Sequence, residues 1–184
     1  MSYYNRFVMR VVFSILFPLI FYPIKSLSVI PSPDDKNDFS VIINQRYVVL
    51  GETWSDLKEK QLGEQTREGF VGDIPFGDNS FKFYQHAYEG FEIYTSNIFW
   101  GREHRDVDSY IIAQITLNGD KIKTARGIKV GDKESDVIHK YGNGTVDNSD
   151  DQFWIYYVVD GKRLSFQIEH EKVSHIMMVF NDDN

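Results

Sequence analysis

The sequence predicts an α+β fold: two helix-plus-antiparallel-sheet units in tandem, with the helices packed on one face of sheets able to join into one continuous concave surface. Three observations lead there. Residues 51–60, GETWSDLKEK, return as residues 131–140, GDKESDVIHK, matching Gly51 with Gly131, Ser55 with Ser135, Asp56 with Asp136 and Lys60 with Lys140, with an aliphatic at Leu57 and Val137. Each copy is followed by runs that alternate apolar and polar residues, the pattern of half-buried antiparallel strands. Asp160 with Gly161, between two such runs, is the strongest short-range hairpin signal.

Residues 1–28 are set apart from the fold. MSYYNRFVMR carries Arg6 and Arg10 and no acid, and VVFSILFPLIFY follows as a short apolar run with Ser26 and Ser28 behind it. That is the build of a signal peptide cleaved before Val29. The run falls short of the roughly 20 apolar residues that span a bilayer, although a retained N-terminal membrane anchor is the alternative. The expectation is a periplasmic or secreted protein with no stable membrane insertion after cleavage. Residues 29–38, containing PSPDDKND, read as a flexible leader.

The first unit is assigned to residues 39–122. FSVIINQRYVVL is a first strand or extended segment, and Thr53 with Asp56 has the capping-box spacing for a short helix that buries Trp54, Leu57 and Leu62 and ends at Gly63. GEQTREGFVGDIPFGDNS reads as a glycine-rich connection. KFYQHAYEGFEIYTS is a hairpin turning at Glu89 and Gly90, and after the loop NIFWGREHRDVD the segment SYIIAQITLNGDKI supplies a third strand. The second unit is assigned to residues 123–181. Asp132 or Ser135 caps its helix, Val137, Ile138 and Tyr141 face inward, and Gly142 closes it. After the connection NGTVDNSDD come three strands that turn at Asp160–Gly161 and His170–Glu171.

Fourteen Phe, eleven Tyr and three Trp supply the core, because there is no cysteine to staple it. The absence of cysteine also excludes a thiol nucleophile, a thiolate metal site and a lipidated cysteine. Loss of residues 1–28 removes Arg6, Arg10 and Lys25, leaving 17 basic against 27 acidic residues and a formal charge of −10 instead of −7. Such a surface disfavours nucleic acid, whose phosphates need Lys and Arg, and favours a basic partner.

The strand faces suggest where such a partner would sit. In QFWIYYVV, Phe153, Ile155, Tyr157 and Val159 point one way and Trp154, Tyr156 and Val158 the other, so neither face is polar. One reading covers both faces; the other makes the helix-free face a binding surface lined by Trp154 and Tyr156 with Tyr84, His86 and Tyr88. Gln167 continues that face with Ser165 and Glu169, against a core set of Leu164, Phe166 and Ile168. Aromatic rings with polar tips among Ser, Gln and His are the composition of protein interfaces.

Catalytic and metal patterns are weak. There is no HExxH, no GxSxG and no phosphate-binding glycine loop. His170 and His175 flank a turn and are candidate zinc ligands, and Asp147, Asp150 and Asp151 are candidate calcium ligands, but neither set has the ligand spacing those ions require. No cofactor is expected.

TARGIKVGDKESDVIHKYG, followed by a hairpin with an Asp-Gly turn and the closing strand EKVSHIMMVF, resembles the small domain of bacterial exported proteins related to the outer-membrane assembly lipoprotein SmpA/OmlA. It is similar also to the β-lactamase inhibitory protein group (BLIP-like), where the domain is repeated in tandem. Gly127, Ile128, Gly131, Val137, Tyr141 and Gly142 carry the likeness, with Leu164, Phe166, Ile168, Val173 and Ile176. The resemblance implies a concave sheet that grips another protein, and Tyr84, His86, Tyr88, Trp154, Tyr156 and Gln167 are the positions consistent with that role. The cysteines of both groups are missing, so neither β-lactamase inhibition nor an assembly role carries over. The functional expectation is an exported protein-binding protein, an inhibitor or toxin-immunity protein without an enzymatic centre. The alternatives are a protein that binds a small ligand or divalent cation and, behind it, a hydrolase.

Overall fold

The computed structural model describes residues 32–34 and 37–181, so residues 1–28, read as a signal peptide, lie outside it. In chain order the elements are β1 (Ser40–Ile43), β2 (Arg46–Val49), α1 (Asp56–Leu62), β3 (Arg67–Phe76), β4 (Asn79–Tyr88), β5 (Phe91–Ser96), β6 (Ile111–Leu117) and β7 (Lys123–Thr124). They continue with α2 (Glu134–Tyr141), β8 (Thr145–Asp147), β9 (Phe153–Val159), β10 (Lys162–Glu169) and β11 (Lys172–Phe180).

Eight strands form one antiparallel sheet in the order β3-β4-β5-β6-β11-β10-β9-β8, and β2-β1-β7 form a second, smaller sheet. Consecutive strands are joined by tight turns wherever the sequence allows. Asp160–Gly161, His170–Glu171 and Asn44–Gln45 each have positive φ at both central residues, the twist that matches paired strands. The long connection is the one from β6 to β8, which passes through β7 and α2.

The helices start where local hydrogen bonding lets them. Ser55, not Thr53, caps α1: its Oγ accepts the Lys58 N–H at 3.2 Å, while Thr53 bridges to Ile111. Gly63 ends it, and the Asn44 amide donates to the Gln61 carbonyl at 3.0 Å, tying the β1–β2 turn to the helix end. For α2 the cap is Lys133, whose N–H is accepted by the Asp136 carboxylate at 3.2 Å, so neither Asp132 nor Ser135 takes the capping position. Asp132 instead accepts the Lys129 N–H at 2.9 Å, in the turn before the helix.

A single buried cluster unites the parts. Phe39, Val41, Ile43, Val48 and Leu50 from the small sheet meet Leu62 of α1, Val137 and Tyr141 of α2, and one face of the large sheet. That face carries Phe91 and Ile93 (β5), Ile115 and Leu117 (β6), Ile176 and Met178 (β11), Leu164 and Phe166 (β10) and Ile155 and Tyr157 (β9). The helices and the small sheet therefore lie on the same side of the large one. A second cluster of Phe81, Ile98, Ile111 and Ala113 fills one end.

This architecture overturns the α+β expectation of helix-plus-sheet units in tandem. The described chain is mostly strand, with two helices of seven and eight residues beside a single eight-stranded sheet. Two helices so short cannot supply a layer, and β1 and β2 share the covering with them. Strands also replace the expected connections. GEQTREGFVGDIPFGDNS contains the ten-residue β3, NGTVDNSDD contains β8, and residues 39–50 are a hairpin instead of one strand.

Part of the segment read as a flexible leader is anchored. Asp38 is buried and accepts two hydrogen bonds from Arg126, and Arg126 also donates to the Ser32 carbonyl at 3.0 Å. β7 pairs with β1 across the 122/123 boundary between the two assigned units.

Candidate protein-binding face

Antiparallel cross-strand partners point to the same side of a sheet, so the register assigns every strand residue to a face. One line of partners crosses all eight strands on the side away from the helices: Thr145, Tyr156, Ser165, Met177, Thr116, Glu92, Ala87 and Arg67. The neighbouring line runs Val158, Arg163, Val179, Gln114, Tyr94 and Gln85. A shorter third line joins Asp147, Trp154, Gln167 and His175. Burial follows the assignment on three strands, whereas on β10 Ser165 and Gln167 of the second face are buried as well. Along β5, β6 and β9, buried residues of the helix-covered face mostly alternate with half-buried ones of this second face.

Two groups order the second face. On the β9–β10 side the Arg163 guanidinium lies 3.9 Å from the centroid of the Tyr156 ring, donates to Ser165 Oγ at 3.2 Å and approaches the Asp147 carboxylate at 3.8 Å. On the β3–β5 side Arg67 donates to Gln85 Oε1 at 2.7 Å, and the Gln85 amide donates to Glu92 at 3.0 Å and to the Tyr94 hydroxyl at 2.9 Å. The Tyr94 hydroxyl in turn donates to Glu92 at 2.8 Å. Burial, and secondarily Glu92, raise the Tyr94 phenol above its ordinary range, so it stays a donor at neutral pH. Between the two groups the surface is softer, with Met177 and Val179 beside the Gln114–Thr116 pair. Preset polar tips around aromatic and Met side chains match the make-up of protein-recognition surfaces.

Of the six residues expected on this surface, Trp154 and Tyr156 lie on it half-buried, and Gln167 belongs to the same face but is buried. Tyr84, His86 and Tyr88 lie on the opposite, helix-covered face, because their partners are Thr95, Ile93 and Phe91. Tyr84 packs against Phe70 and Tyr110, His86 lies under Trp54, and Tyr88 is stacked on Phe91 with ring planes 3° apart. Burial pushes the Tyr88 phenol up to about 12. On β4 the residues of the second face are Phe83, Gln85 and Ala87. Arg163, Tyr94, Glu92 and Gln114 were not singled out from sequence; for Arg163 the parity of Gln167 and Ser165 points to it directly.

The metal candidates do not converge. His170 is a central turn residue, whereas His175 sits opposite Gln167 on the sheet, its Nδ1 buried without a hydrogen-bond partner. Asp147 Oδ1 accepts the Ser149 N–H at 2.9 Å, which with the Arg163 charge holds its carboxyl below the usual range. Asp150 and Asp151 occupy a left-handed turn beside it. Among the described residues no three His, Asp or Glu side chains are placed to hold a metal ion, and no helix is long and apolar enough to cross a membrane.

No protein-family model matches the chain, and neither a curated protein nor a solved structure matches it.

Proposed function

We propose that this chain is an exported protein that binds another protein through the second face of its large sheet, as an inhibitor or a toxin-immunity protein. The observation that carries the reading is the register line that crosses all eight strands, flanked by Arg163 on Tyr156 at one side and the Arg67–Gln85–Tyr94–Glu92 chain at the other. The basic start and short apolar run of residues 1–28 support export. The acidic balance supports a basic partner, since charge of opposite sign accelerates encounter.

The test is capture with the protein from extracts, followed by titration of what is retained. Tyr156→Ala and Arg163→Ala are expected to weaken that binding by at least about 2 kcal/mol each if they anchor the contact. Folded variants that bind the retained protein as tightly as the parent remove the proposal.

A further inference from the structure

At one end of the large sheet lies a cleft of about 900 Å³, whose lining includes none of Trp154, Tyr156 and Arg163. Its size falls within the roughly 300–1,000 Å³ typical of small-ligand sites. Phe76 comes from the β3–β4 hairpin, Phe99, Arg102 and Glu103 from the loop after β5, Phe180 from the end of β11, and Glu52 from the turn after β2.

Phe99 is the centre of the apolar wall. The Phe76 ring meets it edge-on at 5.4 Å between centroids and 82°, and the Phe180 ring at 5.2 Å and 86°. Its backbone is left-handed, with φ 60°. For a bulky aromatic residue that conformation is strained by about 1–3 kcal/mol and persists only where the surroundings enforce it. They do so here: Arg105 donates to the Ile98 carbonyl and, at 2.8 Å, to that of Ser109. The Asn97 amide donates to the Val107 carbonyl at 3.0 Å, and the Glu103 N–H to the Phe99 carbonyl at 2.9 Å. The loop thus holds the ring in place before any ligand arrives, which lowers the ordering cost of binding.

The charges of the wall are unevenly matched. Glu52 pairs with Lys58, and Glu103 pairs with Arg105 at 2.8 Å. Asp160 and Lys162 of the β9–β10 hairpin also line the cleft, and the Lys162 ammonium stands 6.0 Å from the centroid of the Phe180 ring. The Arg102 guanidinium instead lies 3.9 Å from the Phe99 centroid, with no ion pair among the described residues. Its five donors suit a planar anion better than any other group.

We propose that this cleft binds a small amphipathic anion, a flat apolar or aromatic body carrying one carboxylate, with the body against Phe76, Phe99 and Phe180 and the carboxylate on Arg102. The site is separate from the protein-binding face.

The test is an NMR titration of the ¹⁵N-labelled full chain with 2-naphthoate and, in parallel, with its neutral relative 2-naphthamide. Naphthoate is expected to move the amide signals of Phe76, Phe99, Arg102 and Phe180 in a saturable way. Arg102 is exposed, so Arg102→Gln should keep the parent spectrum while weakening naphthoate about tenfold and leaving naphthamide unchanged. Phe99→Ala should weaken both probes, and Trp154→Ala neither. Naphthoate that leaves the cleft amides in place, or that binds Arg102→Gln as well as the parent, overturns the proposal.

Discussion

The indole of Trp54 lies on the imidazole of His86, with ring centroids 4.5 Å apart and planes inclined by 34°. Trp54 precedes the Ser55 cap of α1, so this contact seats the start of the helix on the sheet. Only 3% of His86 is exposed, and both ring nitrogens have neighbours: Nε2 is 3.0 Å from Thr95 Oγ1, and the Gln65 amide is 3.4 Å from Nδ1. Burial lowers the imidazole below its ordinary 6.5, against the opposing pull of Glu68 at 3.6 Å. The folded state therefore prefers the neutral ring.

The sign of the pH dependence follows. As the pH falls below 6.5 the unfolded chain takes up this proton before the folded one does, so the stability that His86 contributes is present above that pH and is lost on acidification. Urea midpoints measured across the mildly acidic range should fall with pH, and the His86→Asn variant should show a shallower fall. Parallel profiles for the two proteins would count against this account.

Arg126 and Asp38 form a two-pronged pair, with Nε to Oδ1 and Nη2 to Oδ2 both at 2.6 Å. Only 1% of Asp38 is exposed. Arg126 also donates to the Lys140 carbonyl at 2.8 Å and lies over the Tyr141 ring, joining the chain before β1 to the end of α2. Arg126→Met strands a buried carboxylate and should cost about 3–5 kcal/mol in urea unfolding. Adding Asp38→Asn should restore part of the loss, because the remaining side chain is neutral. A double variant no more stable than Arg126→Met would refute the stranded charge as the cause.

Gly144 allows β8 and the end of α2 to close on β9. A Cβ there would stand 2.7 Å from Ile155 Cγ2 and 2.9 Å from the Tyr156 carbonyl oxygen. Backbone and a buried branched side chain have no room to yield, so Gly144→Ala should destabilise by about 1–3 kcal/mol. A thermal midpoint equal to the parent's would show that the approach relaxes freely.

Local chemistry made part of this fold legible. The turns at Glu89–Gly90, Asp160–Gly161 and His170–Glu171 stand where residue type placed them, and the parity of β9 and β10 separates Trp154, Tyr156 and Gln167 from Ile155, Tyr157 and Phe166 as the alternation requires. Both helices also begin within the repeated segments and run just past them, where Leu62 and Tyr141 join Val137 in the core, although Leu57, expected to face inward, is exposed. The edge strands escaped notice for a physical reason. β3 is solvent-facing along most of its length and holds Gly69, Gly72 and Pro75, so no burial imposes alternation on it. β8 is only three residues long.

What the sequence by itself determined is therefore local: turn positions, helix sites, strand parity within each hairpin and the choice of aromatic packing over disulfides. The tertiary structure alone decided that the strands merge into one eight-stranded sheet, and which side of β4 is covered. Tyr84, His86 and Tyr88 on one side and Phe83, Gln85 and Ala87 on the other are both amphipathic sets, and nothing within the strand ranks them. Distant partners break the tie. Trp54 and Tyr110, brought in from outside the hairpin, cover the first set and leave Gln85 to the open face.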